Sequence, residues 1–208
     1  MVKGKEKGEL CTGNGENICD RNSVTKLPAL REVIKWFKGS FAVEHVQEYM
    51  SLSVYELTKY IHVLENFGID AVDDMILMVS DILQQIWGKK AYIGHISDER
   101  FVVIVAYPKT ESLDNVLDIL SADNKLLQRK IDKYNTTTGK SYYIELDYGY
   151  IVKEPGWEGG FEGFLKLANS EVLFNHLQKD LSISNSSHTV LWKHQEVFNL
   201  LIEKNLFH

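Results

Sequence analysis

The sequence predicts an α/β sandwich in which helices flank a mostly antiparallel central sheet. Helical and strand-like patterns alternate along most of the 208 residues, which is typical of layered α/β domains. Residues 101–107 are apolar without polar alternation, so they should form a central strand that is buried on both faces. With 44% hydrophobic and 25% charged residues, the chain has the apolar content that a packed core needs.

The first half of the chain contains the elements that precede a predicted hairpin. A helix over 28–38 begins at a proline, which the first turn tolerates because the missing N–H would be unpaired there anyway. A strand follows over 49–57, and a short helix then ends at Gly68, a residue typical of helix C-termini. The helix over 70–87 is the clearest, because apolar side chains recur in it at helical spacing: Met75, Ile76, Val79, Ile82, Leu83 and Ile86.

The second half begins with the hairpin. Strands over 91–96 and 101–107 flank the polar turn Ser97–Arg100. We expect Val102 and Ile104 to share one core with the apolar stripe of the preceding helix. The remaining elements alternate in type: a helix over 112–134, a strand over 142–152, a helix over 161–177, a short strand over 189–192 and a helix over 194–205. The order of the strands in the sheet does not follow from these patterns.

Composition divides the chain and argues against several classes of protein. Residues 1–21 are charged and nearly free of large apolar side chains, which predicts a flexible leader. Residues 22–192 form the predicted domain, and 193–208 a C-terminal helix. The formal net charge of -6 disfavours nucleic-acid binding, and no apolar run approaches the roughly 20 residues of a membrane span, so we expect a cytoplasmic protein. Cys11 and Cys19 lack metal-site spacing and are expected to be free thiols.

Five short segments carry motifs in a characteristic order. Residues 22–28, Asn-Ser-Val-Thr-Lys-Leu-Pro, fit D-x-L-T-G-L-P, and residues 68–73, Gly-Ile-Asp-Ala-Val-Asp, fit G-H-x-x-G-D. Residues 94–101 lie where R-x-G-G-D-E-F would stand, Tyr148-Gly149-Tyr150 fits an S-x-G strand, and Ala168-Asn169 fits an A-D pair. Together they resemble the GGDEF domain, the diguanylate cyclase fold of bacterial cyclic di-GMP signalling. The resemblance implies a sandwich of the nucleotidyl cyclase palm type.

The resemblance also implies a nucleotide site. Diguanylate cyclases join two GTP molecules, each held by one protomer, and two metal ions neutralise the triphosphate and the developing charge. By the family pattern, Glu56 and Glu99 would be the metal ligands, and hard carboxylate oxygens suit Mg²⁺. The residues that would bind nucleotide are Asp73, Ser97, Asp98 and Arg100.

Several positions depart from the catalytic pattern. Ser97 and Asp98 replace two glycines, which puts bulk and a negative charge where a triphosphate would lie. Arg100 replaces an acidic residue and can neither accept a proton nor bind a metal ion. Leu64 stands in place of the guanine-reading Asn, and Ile61 in place of a phosphate-binding Lys. The turn therefore has no confidently catalytic residue.

These departures predict a degenerate GGDEF domain without cyclase activity, which would act as a regulatory, GTP-sensing or dimerisation module. Residues 193–208 resemble the connector to an EAL phosphodiesterase domain, which would be a partner in the same protein. GTP and a second copy of the chain are the other expected partners, with Mg²⁺ as the cofactor where nucleotide is bound. Two alternatives stay open. One is a weakly active diguanylate cyclase that uses Glu56 and Glu99, and the other is a pure protein-interaction domain.

Overall fold

The structure, a computed structural model, describes residues 20–157 and 159–180. Within them, four strands form one antiparallel sheet in the order β2-β3-β1-β4. The strands are β1 (Tyr49–Leu57), β2 (Tyr92–His95), β3 (Arg100–Tyr107) and β4 (Leu146–Lys153). The helices are α1 (Leu30–Trp36), α2 (Ala42–Glu44), α3 (Tyr60–Phe67), α4 (Ile69–Trp87), α5 (Leu113–Thr137) and α6 (Phe161–Asp180), and α1 continues into α2 through a π-helical segment, Phe37–Phe41. The predicted fold class, a mostly antiparallel sheet flanked by helices, is confirmed.

Several predicted features lie outside the described residues. They are the two cysteines, nearly all of the leader, the strand over 189–192, the helix over 194–205 and the whole connector over 193–208. In the part of the chain that the structure describes, no helix is long and apolar enough to cross a membrane.

Side-chain alternation along the central strands divides the apolar residues between two cores. Val103 and Val105 of β3 pack in one cluster with the apolar stripe of α4. Val102 and Ile104 pack in the other cluster, with residues of α1 and α6. The expectation that Val102 and Ile104 share a core with the α4 stripe is therefore wrong, because consecutive strand residues point to opposite faces of the sheet. The prediction that this strand is buried on both faces is confirmed.

Strand β4 begins later than the sequence predicts. β4 starts at Leu146 and not at residue 142. The reason is a side chain of α5: Asn135 Nδ2 donates to the Ile144 carbonyl at 2.8 Å, and the Ile144 N–H donates to Asn135 Oδ1 at 2.7 Å. The amide of Asn135 thus occupies both backbone groups that a strand partner would use at this position.

Helix α6 packs directly on β4 at Gly149. An ideal Cβ at this position would lie 2.4 Å from the backbone nitrogen of Val172 and 2.7 Å from the carbonyl oxygen of Ala168. Asn175 adds a hydrogen bond from Nδ2 to the Tyr148 carbonyl at 2.8 Å. The absence of a side chain at Gly149 therefore lets the helix approach the strand closely, and this contact fixes the C-terminal half of α6 over the sheet.

A compact turn precedes α1. The Asn22 Oδ1 atom accepts hydrogen bonds from the N–H groups of Val24 at 2.9 Å and Thr25 at 3.0 Å. Lys26 follows with φ 59, a left-handed conformation that is costly for a residue with a side chain. The His95 N–H donates to the Pro28 carbonyl at 2.9 Å. This hydrogen bond joins the N-terminal turn to β2.

Candidate functional site

The turn between β2 and β3 lies against the end of β1. The Leu57 N–H donates to the Glu99 carbonyl at 2.9 Å, and the Ile96 N–H donates to the Arg100 carbonyl at 2.9 Å. Cross-strand register places Glu56 of β1 opposite Arg100 of β3. The predicted hairpin is confirmed, and the structure brings it next to Glu56.

Arg100 and Glu56 form an ion pair at this point. Arg100 Nε donates to Glu56 Oε2 at 2.7 Å, and both side chains are partly shielded from solvent. A guanidinium group does not lose its proton in proteins, so Arg100 supplies a permanent positive charge next to Glu56. One of the two carboxylates that the family pattern implies as metal ligands is thus already bound to a fixed cation.

Three other predicted site residues act electrostatically on Tyr60 of α3. Burial raises the pKa of Tyr60, and the negative charges of Asp98, Glu99 and Asp73 raise it further. Asp98 is exposed, whereas Glu99 and Asp73 are half-buried. The acidic residues of the turn and of α4 therefore both contribute negative charge at Tyr60. Ser97 is exposed, and its recorded hydrogen bonds within the described residues are made by its backbone.

Helix α3 presents apolar side chains at the two positions where the catalytic pattern is polar. Ile61 is 57% exposed, and Leu64 packs partly against the core below α4. Neither side chain has a hydrogen-bonding atom, so neither can read a base edge or meet a phosphate. These departures, inferred from sequence, lie on the same helix, next to Tyr60.

Sequence reasoning missed two residues at the end of the sheet. Asp147 of β4 lies opposite Glu56 in the register, on the other side from Arg100. Its side chain is 2% exposed, and its Oδ2 atom lies within hydrogen-bond distance of His176 Nδ1 on α6. The available signal was an acidic residue among the apolar and aromatic residues of the strand, but its neighbours could not be identified without the strand order.

His95 connects the hairpin with the N-terminal turn. Its ring stacks on Phe101, with centroids 4.2 Å apart and an interplanar angle of 6°. Nδ1 lies 3.3 Å from Thr25 Oγ1, while Nε2 is buried without a hydrogen-bond partner. Burial lowers the pKa of His95. Its contacts connect the end of β2 with Phe101 and with the N-terminal turn.

The side chains in this arrangement do not fit a Mg²⁺ ion. Mg²⁺ needs free carboxylate oxygens in near-octahedral geometry, with water completing its shell. Glu56 directs Oε2 to Arg100 instead. Within residues 20–157 and 159–180, no group of three or more His, Cys, Asp or Glu side chains could hold a metal ion.

The sheet order, the β2–β3 hairpin beside the end of β1 and the helices on both faces define a palm-type α/β domain. The family model described as "Diguanylate cyclase, GGDEF domain" matches residues 21–179. The chain therefore belongs to the GGDEF family of diguanylate cyclase domains. This is a family of cyclic di-GMP signalling whose cyclases use Mg²⁺.

Solved structures of GGDEF proteins share the fold at low sequence identity. The GGDEF domain of FimX from Pseudomonas aeruginosa is 13% identical with a TM-score of 0.61, over 77% of this chain and 96% of that chain. The GGDEF domain of DgcB from Caulobacter crescentus, in complex with c-di-GMP, is 13% identical with a TM-score of 0.61, over 80% of this chain and 93% of that chain. The diguanylate cyclase SiaD from Pseudomonas aeruginosa, in complex with its activator SiaC, is 15% identical with a TM-score of 0.62, over 77% of this chain and 59% of that chain. No curated protein matches the chain by sequence.

Proposed function

We propose that this chain is a degenerate GGDEF domain without cyclase activity, and that it serves cyclic di-GMP signalling as a regulatory module. The observation that carries the proposal is the 2.7 Å contact between Arg100 Nε and Glu56 Oε2. Phosphoryl transfer depends on metal ions to neutralise the triphosphate and the developing charge. Arg100, at the fourth position of the turn, binds the carboxylate of Glu56, which the family pattern implies as a metal ligand. That carboxylate oxygen is then not available to coordinate a metal ion.

The electrostatics around the turn support the same proposal. Asp98 and Glu99 are adjacent in the turn, and their charges, together with that of Asp73, raise the pKa of Tyr60. At a few ångströms, in an effective dielectric of about 20, each such charge contributes on the order of a few kcal/mol against a triphosphate before screening. GTP binding through Asp73, Ser97, Asp98 and Arg100 should therefore be weak.

The regulated partner in this proposal is an EAL phosphodiesterase domain in the same cytoplasmic protein, reached through residues 193–208. In this proposal the GGDEF domain comprises residues 22–192. It would regulate the EAL domain by sensing GTP or by dimerising. SiaD, a fold relative, is bound to an activator protein, and DgcB is bound to c-di-GMP. These complexes support a role in which a GGDEF fold responds to a protein or a nucleotide.

A cyclase assay and a binding titration test the proposal. The purified chain is incubated with GTP and Mg²⁺, cyclic di-GMP is measured by chromatography, and GTP binding is measured by calorimetry. We expect no product. Product formation that Glu99→Ala abolishes would overturn the proposal in favour of a weak cyclase. The matched control is Glu44→Ala, an exposed carboxylate that precedes the other end of β1. Absence of GTP binding at millimolar concentration would favour a pure interaction domain.

A further inference from the structure

A row of ionisable side chains crosses the end of the sheet. Glu56 on the central strand β1 lies between Arg100 of β3 and Asp147 of β4. Val54 and Val102, two residues along their strands from Glu56 and Arg100, belong to the core under α1 and α6. Since strand side chains alternate with a period of two, Glu56 and Arg100 point to this same face.

Asp147 belongs to the same face as well. Gly149, two residues along β4, directs its Cβ position at α6. His176 of α6 then completes the row, because its Nδ1 donates to Asp147 Oδ2. The order across the sheet is therefore Arg100, Glu56, Asp147, His176.

The two carboxylates in the middle of the row are neighbours on adjacent strands. Like charges directly opposite each other in a sheet destabilise it, and a buried carboxylate needs a partner. Glu56 forms its ion pair with Arg100 on the neighbouring strand β3. Asp147 is almost fully buried, and its side chain contacts His176. A divalent cation at a pair of carboxylates would give the same compensation.

We propose that Arg100 takes the place of a divalent cation at this site, so that the domain binds no divalent metal through Glu56. The inference deepens the proposed function and rests on it for the role of Glu56 as the site's ligand. Arg100 supplies one permanent positive charge and a planar set of donors shaped for a carboxylate. Removing Arg100 should leave Glu56 next to Asp147 without its cation, and a divalent ion should then bind there.

The experiment uses Mn²⁺ alone as the probe, with the full 208-residue chain and no nucleotide. Free Mn²⁺ is followed by electron paramagnetic resonance during titration of the wild type, Arg100→Ala and Arg100→Gln. We expect both variants to bind Mn²⁺ about tenfold or more tightly than the wild type, because each removes a positive charge a few ångströms from the ion. Arg100→Lys keeps the charge and should behave like the wild type. Asp147→Asn in the Arg100→Ala background should reverse the gain.

A matched control is Lys38→Ala, which removes another cation from an ion pair, the exposed Lys38–Glu162 pair at 2.6 Å. It should leave Mn²⁺ affinity unchanged. Circular dichroism shows whether each variant is folded, and Arg100→Gln keeps a hydrogen-bonding side chain if Arg100→Ala does not fold. Wild-type Mn²⁺ binding that Glu56→Gln abolishes would overturn the inference, as would folded Arg100 variants that bind no Mn²⁺. The cyclase assay keeps the two tests apart: a wild type that binds Mn²⁺ through Glu56 yet makes no cyclic di-GMP would overturn this inference and leave the proposed lack of cyclase activity standing.

Discussion

Replacing Gly149 by alanine should destabilise the domain, because the added methyl group would meet backbone atoms of α6. Its Cβ would lie 2.4 Å from the nitrogen of Val172 and 2.7 Å from the oxygen of Ala168. Helix backbone atoms cannot rotate away, so α6 must shift. Overpacking of this kind costs about 1–3 kcal/mol, and the lower entropy of the unfolded alanine chain returns about 0.4–1 kcal/mol. We expect a net loss of about 1–2 kcal/mol, which lowers Tm by about 2–8 °C in a domain of this size.

The control for this prediction is Gly163→Ala, inside α6. Apart from its chain neighbours and the backbone of its own helix, no atom of the described residues lies within 4 Å of its Cβ position. Because glycine within a helix is about 0.5–1 kcal/mol less favourable than alanine, this variant should be more stable than the wild type by about that amount. Urea unfolding followed by circular dichroism measures both variants in the same way.

Two results would refute the packing argument. One is Gly149→Ala at or above the wild-type stability, which would mean that α6 does not lie against β4 as described. The other is an equal loss of stability in Gly163→Ala, which would trace the effect to the helix itself. A third measurement connects the packing to the site, because a shifted α6 must also move His176 relative to Asp147. The imidazole signals of His176 should therefore change in Gly149→Ala and stay in place in Gly163→Ala.

Three further variants test the turn, a surface ion pair and the hairpin. Lys26→Gly should raise the free energy of unfolding by about 0.5–1 kcal/mol. The left-handed backbone at φ 59 costs a residue with a side chain about 1–2 kcal/mol, and the greater entropy of glycine in the unfolded chain offsets part of this gain. A lower free energy of unfolding in urea would contradict the prediction. The hydrogen bond from Lys140 is the main cause that lowers the pKa of Asp74 in the folded protein. The ionised carboxylate therefore stabilises the fold fully above the unfolded-state pKa of about 3.9, and this stabilisation is lost as pH falls through the lower pKa of the folded state. The stability difference between the wild type and Asp74→Asn should shrink over that range, and a difference that grows towards acid pH would show the wrong sign. Replacing Ser97–Arg100 by Gly-Gly-Asp-Glu should strengthen Mg²⁺–GTP binding in calorimetry, yet turnover should stay low because Leu64 still cannot read guanine. Unchanged GTP affinity would mean that the hairpin is not at a nucleotide site, and a vigorous cyclase would mean that the assignment of Leu64 is wrong.

Elements with a strong local signal could be predicted from the sequence. Ser112 was expected to begin a helix, and its Oγ accepts from the Asn115 N–H at 3.2 Å at the start of α5. The apolar stripe of α4 and the unalternating β3 were likewise found where periodicity places them. Each of these signals depends on residues a few positions apart, which one sequence displays directly.

Features that depend on distant residues could not be predicted. The Arg100–Glu56 pair joins residues 44 positions apart, and it follows only from the placement of β3 beside β1. The position of Asp147 opposite Glu56 depends in turn on β4 lying on the other side of β1. Periodicity identified the strands but not which strands are neighbours in the sheet. The family pattern therefore located Glu56, but it could not show that Arg100 is the partner of its carboxylate.

The N-terminal turn gives the hairpin a mechanical connection to the start of the described chain. The Ala29 N–H donates to the Asp20 carbonyl at 2.8 Å, and the His95 N–H donates to the Pro28 carbonyl at 2.9 Å. His95 is stacked on Phe101, so the connection reaches both strands of the hairpin. A pull on the chain at Asp20 would therefore reach the hairpin through two backbone hydrogen bonds and one ring stack, without passing along a helix.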